Sequence, residues 1–152
     1  MAMGSFLIFC NLYLFQPIMP LFASEMNISA TKVNWIFAST TLMLSLALVP
    51  WAMCSESFGR KKVLLVGLFL PPLIHLILLF RTDFTSIVIA RGCMGIALAA
   101  FISVAVAYMA EELSPKALAQ AVGGYIAANS LGGITGRIAG GVLTDWFNWQ
   151  TA

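Results

Sequence analysis

The chain has 152 residues, of which 61% are hydrophobic and only 9% charged, where about 25% charged is usual for a soluble domain. So few charges cannot cover the surface of a soluble globule of this size, and so apolar a chain is not a disordered one. The formal net charge of +2 is too small to point to nucleic acid, so these numbers describe an integral membrane protein.

A helix that crosses a bilayer needs about 20 mostly apolar residues. Five such stretches occur in order: Met3–Phe22, Val33–Met53, Val63–Phe80, Phe84–Ala110 and Ala117–Leu143. The breaks between them hold nearly all the charge, at Ser24–Lys32, Cys54–Lys62, Arg81–Asp83, Glu111–Lys116 and the tail from Asp145. Connections this short make each helix antiparallel to the one before it. The expected fold class is therefore all-α, a polytopic bundle of about five spans occupying residues 1–152. The first stretch has no basic leader and holds Pro17 and Pro20 in place of a small-residue cleavage site, unlike a cleavable signal peptide. Cys10, Cys54 and Cys93 are isolated and form neither a metal-ligand nor a redox pair.

Arg60, Lys61, Lys62 and Lys116 fall on one side of the expected bundle and Lys32 and Arg81 on the other. Four against two places the second and fourth loops, and the N-terminus, in the cytoplasm. At the far end, Trp146-Phe147-Asn148-Trp149-Gln150 reads as an interfacial aromatic turn leading into a further span. An odd number of spans with this ending suggests an incomplete unit.

Polar residues within the spans are few: Asn11 and Gln16 in the first, His75 in the third, Arg91 in the fourth, Asn129 and Arg137 in the fifth. Lipid offers such groups no partner, so they face the bundle interior or a wet cavity. An arginine inside a span costs roughly 2.5–3.5 kcal/mol on insertion scales. Arg91 and Arg137 lie at similar depth from the outer face and are expected to form one cationic site there. Gly124, Ala128, Gly132, Gly136 and Gly140 recur every fourth residue, a stripe of small residues that lets another helix approach closely. No phosphate-cradling loop, metal cluster or catalytic triad is visible, so neither an enzyme nor a cofactor is expected.

Three regions together resemble the major facilitator superfamily of secondary transporters. The turn after the second span, Ala52-Met53-Cys54-Ser55-Glu56-Ser57-Phe58-Gly59-Arg60-Lys61, is similar to the family's G-x-L-x-D-R-x-G-R-K. Glu56 stands at the aspartate, Gly59 at the second glycine, and Arg60 and Lys61 at the basic pair; Ala52, Cys54 and Ser57 depart from it. The resemblance implies a cytoplasmic gate at this loop, in which Arg60 pairs with Glu111 or Glu112. Arg91-Gly92-Cys93-Met94-Gly95 resembles R-x-x-Q-G, which implies a part for Arg91 in proton coupling. Gly132, Gly136, Gly140 and Gly141 match the span-five pattern G-x-x-x-G-P-x-x-G-G, with Arg137 at the proline position.

The resemblance implies most of one six-span half of a bacterial inner-membrane permease of the drug- and sugar-efflux type. Its partners would be the lipid bilayer, a small-molecule substrate, protons and a missing C-terminal half, with Asn11, Gln16, Arg91, Asn129 and Arg137 on the pathway. The alternative reading of the same residues is a non-transporting remnant, or a small membrane adaptor that acts through helix packing.

Overall fold

The structure is a computed structural model and describes residues 1–78 and 83–146. Among these residues it holds six helices and no strand: α1 Ala2–Leu14, α2 Met19–Glu25, α3 Ala30–Phe58, α4 Arg60–Leu78, α5 Phe84–Glu112 and α6 Pro115–Trp146. Ala2–Glu25, Ala30–Phe58, Arg60–Leu78 and Phe84–Glu112 are each long and apolar enough to cross a bilayer. α6, with 32 residues, reaches about 48 Å; its glycines make it the least apolar of the long helices, and it falls outside that group. Arg81 and the aromatic turn at 147–150 lie outside the described residues.

The first span is two helices rather than one. Pro17 has no N–H to donate to the carbonyl of Tyr13, and its ring crowds that carbonyl. The chain tightens instead, with Gln16 N donating to Tyr13 O at 3.1 Å and Ile18 N to Phe15 O at 3.2 Å. Pro20 then sits in the first turn of α2, where a missing N–H costs nothing.

The basic turn is shorter than its sequence suggests. α3 runs to Phe58 and α4 starts at Arg60, so Glu56, Arg60 and Lys61 are helical and Gly59 alone reverses the chain. Its φ of 92° lies in a region that side chains resist. Side-chain caps start two other helices: Ser29 Oγ accepts from Lys32 N at 3.4 Å, and Asp83 Oδ2 from Ser86 N at 2.9 Å.

α5 is the centre. In its most apolar stretch 56% of residues are buried, against 11% in α3, and Ala97, Leu98, Ala99 and Ala100 are wholly enclosed. α3 and α4 pack on it, and both contacts depend on missing side chains. A Cβ on Gly95 would collide with the Thr40 carbonyl, and one on Gly67 would lie 2.5 Å from Phe101 N. Trp51 Nε1 donates to Ile96 O at 2.8 Å and Ser39 Oγ to Val88 O at 3.1 Å, tying α3 to α5 twice more.

α1 and α6 run parallel and form a second close pair. Cβ atoms on Gly132, Gly136 and Gly140 would strike the carbonyls of Phe6, Cys10 and Leu14, a register of four against four. Ala128 is buried one turn earlier, and the register sets it level with Ala2, the first residue of α1. Gly124 lies a turn beyond, and a Cβ there would meet nothing. The seam is thus one turn shorter than the small-residue stripe, because α1 does not extend opposite Gly124. Gly141 only grazes Pro17, at 3.9 Å.

The two positions separate packing from propensity. Gly136→Ala is expected to destabilise the bundle by about 1–3 kcal/mol, since backbone cannot move aside as a side chain can. Gly124→Ala is expected to be neutral or to stabilise by up to about 1 kcal/mol through helix propensity. Equilibrium unfolding in mixed micelles, followed by loss of helical signal, checks both; equal effects at the two sites would contradict the seam.

Candidate functional site

Residues 11–16, the end of α1 and the start of the break at Pro17, gather contacts from Arg91, His75 and Arg137. Arg91 enters from α5. It is 1% exposed, yet it meets no acidic group among the described residues. Its Nη2 donates to the main-chain carbonyl of Leu12 at 3.3 Å and its Nη1 to Met94 Sδ at 3.4 Å. Its guanidinium lies 5.4 Å from the centre of the Phe15 ring. Thioether sulfur is a weak acceptor, and Nε finds no acceptor among the described residues. The cation is held by dipoles and a ring face.

Asn11 faces α4. Its Nδ2 lies 3.3 Å from His75 Nδ1, and its Oδ1 is buried with no partner among the described residues. A buried amide end left unpaired costs about 1–3 kcal/mol. Two of the buried polar atoms without a partner among the described residues therefore lie at this segment: Oδ1 of Asn11 itself and Nε of Arg91, which binds Leu12.

Arg137 arrives on the other flank, from α6. Its Nε donates to Gln16 Oε1 at 2.8 Å, and its guanidinium stacks 4.2 Å over the Tyr13 ring. Unlike Arg91 it is exposed. The two arginines converge on adjacent turn positions, Leu12 and Phe15 for one, Tyr13 and Gln16 for the other. Asp145, further along α6, is exposed and forms no ion pair among the described residues.

Asn129 stands apart from this group. It meets Ser5 across the α1–α6 seam, and Ser5 Oγ also donates to Tyr125 O at 3.3 Å. Ser5 is fully buried, so these contacts clamp α1 to α6.

At the opposite end of the bundle Arg60 Nε binds Glu111 Oε1 at 2.7 Å, joining the start of α4 to the end of α5. Glu112, Glu56 and Lys61 are exposed and take no part in that pair. Tyr13, Phe15, Ser5 and the Leu12 carbonyl were not among the sequence candidates. Tyr13 had a usable signal, since it lies three residues before Gln16 on one helix face; the Leu12 carbonyl had none.

These features coincide with the outcome of comparison. The Major Facilitator Superfamily model matches residues 1–152. The chain belongs to this family. It is 34% identical to the inner membrane transport protein YnfM of Escherichia coli (strain K12), over 95% of this chain and 34% of that one. It is 33% identical to the MFS-type transporter YybF of Bacillus subtilis (strain 168), over 95% of this chain and 36% of that one. Multidrug resistance protein 2 of Bacillus subtilis (strain 168) is 30% identical, over 93% and 35% respectively. The chain spans about a third of the length of these relatives. No solved structure matches it.

The Arg60–Glu111 pair is partly exposed, at 26% and 56% of the two side chains, so it contributes about 0–1 kcal/mol. A double-mutant cycle reads it. Arg60→Glu and Glu111→Arg are each expected to lower thermal stability slightly, and the double reversal to recover most of the loss. Simple additivity would contradict the pairing.

Proposed function

We propose that this multi-pass membrane protein forms the N-terminal part of a proton-coupled efflux carrier for a small solute, in the inner membrane of a bacterial cell. In this reading α6 is the fifth span and the N-terminus is cytoplasmic. The excess of Arg60, Lys61, Lys62 and Lys116 on one side supports that orientation. The remainder of the carrier supplies the second half, and the solute passes between the halves at the turn of α1 around residues 11–16. The names of YnfM as an inner membrane transport protein and of multidrug resistance protein 2 support the location and the direction.

The observation that carries the reading is Arg91. A guanidinium kept 1% exposed with no acidic partner among the described residues is costly in a span and is retained where it is used. A carboxyl group brought to it, from the rest of the carrier or from the solute, would bind as the anion and part as the neutral acid. Gain or loss of one proton would then set whether α1 and α5 are drawn together through Arg91 and the Leu12 carbonyl. That is the coupling a proton-driven carrier requires, since a ligand shifts a conformational balance only by its differential affinity for the two states. Alternate access follows from rocking one half against the other.

The test is a chimaera in which this chain replaces the matching segment of YnfM, in everted vesicles acidified by respiration. A panel of neutral, cationic and anionic solutes is added, and lumenal pH is followed. At least one solute is expected to evoke proton release, reduced tenfold or more by Arg91→Gln with insertion unchanged. An inserted chimaera that releases protons with no solute would contradict the carrier reading.

A further inference from the structure

Arg137 is the member of the site with no counterpart in the family pattern, where a proline stands. Its surroundings are built to orient it. Its Nε edge is tied to Gln16 Oε1 at 2.8 Å, and one face is stacked 4.2 Å over Tyr13. Tyr13 is itself braced by Phe37 of α3 at 6.2 Å and Phe9 of α1 at 6.5 Å between ring centres. Gly133, one turn earlier on α6, leaves room for this stack. A Cβ there would sit 3.2 Å from Tyr13 Cδ2 and 3.8 Å from Arg137 Nη1. With Nε and one face engaged, the two terminal nitrogens remain as a fork that no described residue engages by a hydrogen bond. Neither forms an ion pair among the described residues.

Charges of both signs lie at this end of the bundle, and the acids among them, Glu25 of α2, Asp83 at the start of α5 and Asp145 of α6, form no ion pair with Arg137. α1 has no charged side chain. Arg91 of α5 binds the adjacent position of the same turn. On α3, Lys32 lies five residues before Phe37, and the acid Glu56 is at the opposite end of the helix. On α6, Asp145 is two turns further on, roughly 12 Å along the axis. A planar fork with two parallel donors fits a carboxylate or a similar oxyanion in bidentate fashion, and a fixed guanidinium loses little freedom on binding it.

We propose that Arg137, braced by Gln16 and Tyr13, binds the anionic group of the solute, so that the substrate class is a small organic acid or another oxyanion. This rests on the carrier reading above for the word substrate, though not for the binding itself. The same oxyanion chemistry is offered by a phospholipid headgroup, and the experiment separates the two sources.

The 152-residue chain is placed in nanodiscs of zwitterionic phosphatidylcholine, and the side-chain guanidinium signals are followed by nitrogen NMR while benzoate is added. Arg137 is expected to shift saturably, with half-saturation in the millimolar range, and benzylamine to leave it unmoved. Gln16→Glu places a carboxylate on the fork's own tether and is expected to weaken benzoate binding tenfold or more with helical content unchanged. A benzoate response that Gln16→Glu leaves intact would overturn the proposal, as would no saturable shift at Arg137. If discs of phosphatidylglycerol shift Arg137 by themselves and benzoate no longer competes, the anion is a headgroup and the solute assignment fails. None of these outcomes depends on proton release by the chimaera. A failed carrier with intact benzoate binding, and a working carrier without it, are therefore distinguishable.

Discussion

Within a bilayer, lipid tails are as apolar as leucine, so burial of apolar side chains does not drive helices together as it does in water. What remains is close packing and hydrogen bonding, and close packing needs backbones that can touch. Here the touching points are glycines. Gly132, Gly136 and Gly140 meet successive carbonyls of α1, Gly95 meets Thr40 of α3, and Gly67 meets Phe101 of α5. The rest of the bundle is hung on these contacts, including the position of every polar group discussed above.

The seams divide the helices into two sets. α3 and α4 pack on α5, while α1 packs on α6. The sets share one apolar core, in which Ile8 and Leu12 of α1 and Tyr125 of α6 pack with residues of α4 and α5, and Tyr13 of α1 meets Phe37 of α3. Three further ties add to it. The Phe101 ring fills the space beside Gly4, Asn11 meets His75, and Arg91 reaches the Leu12 carbonyl. Two of these three ties are polar, and both fall on the α1 turn that Pro17 ends. Both ties also leave a buried polar atom with no partner among the described residues. Within this largely apolar junction the incompletely satisfied polar groups are the part responsive to a proton or an anion, because an added partner changes their energy by more than it would change a packed apolar contact. Arg137 lies on the exposed side of the same turn.

Much of this was legible in the sequence, and the physical reasons are uneven. Apolar length marked the helices, since a bilayer imposes a minimum on every span. The helix ends were harder: α3 continues through Glu56 to Phe58 because Gly59 alone can reverse the chain, and composition does not reveal that a nine-residue polar stretch folds as two helix ends. The break of the first span at Phe15–Ile18 was implicit in Pro17 and Pro20. The small-residue stripe indicated a seam on α6 but not its partner or its limits, which depend on where α1 lies. Arg91, Gln16 and Arg137 stood out as polar groups in apolar helices. Their partners did not, because a main-chain carbonyl and an aromatic face carry no sequence signature of their own. Polarity alone left Asn129 open between a cavity position and an interhelical hydrogen bond, and its contact with Ser5 is of the second kind.

The central claim is that α1 lies parallel to α6 in the register of Phe6 with Gly132, which sets the polar turn where the site requires it. The pair Ser5 and Asn129, whose side chains meet, reports that register. Ser5→Cys with Asn129→Cys, in a background lacking Cys10, Cys54 and Cys93 and carrying a protease site after Leu113, can be oxidised in native membranes and then cleaved. The account predicts that the two pieces remain linked until reduced, and that moving the second cysteine to the exposed Ile126 or Ser130 abolishes the link. Pieces that separate without reduction, or equal linking from all three positions, would contradict it.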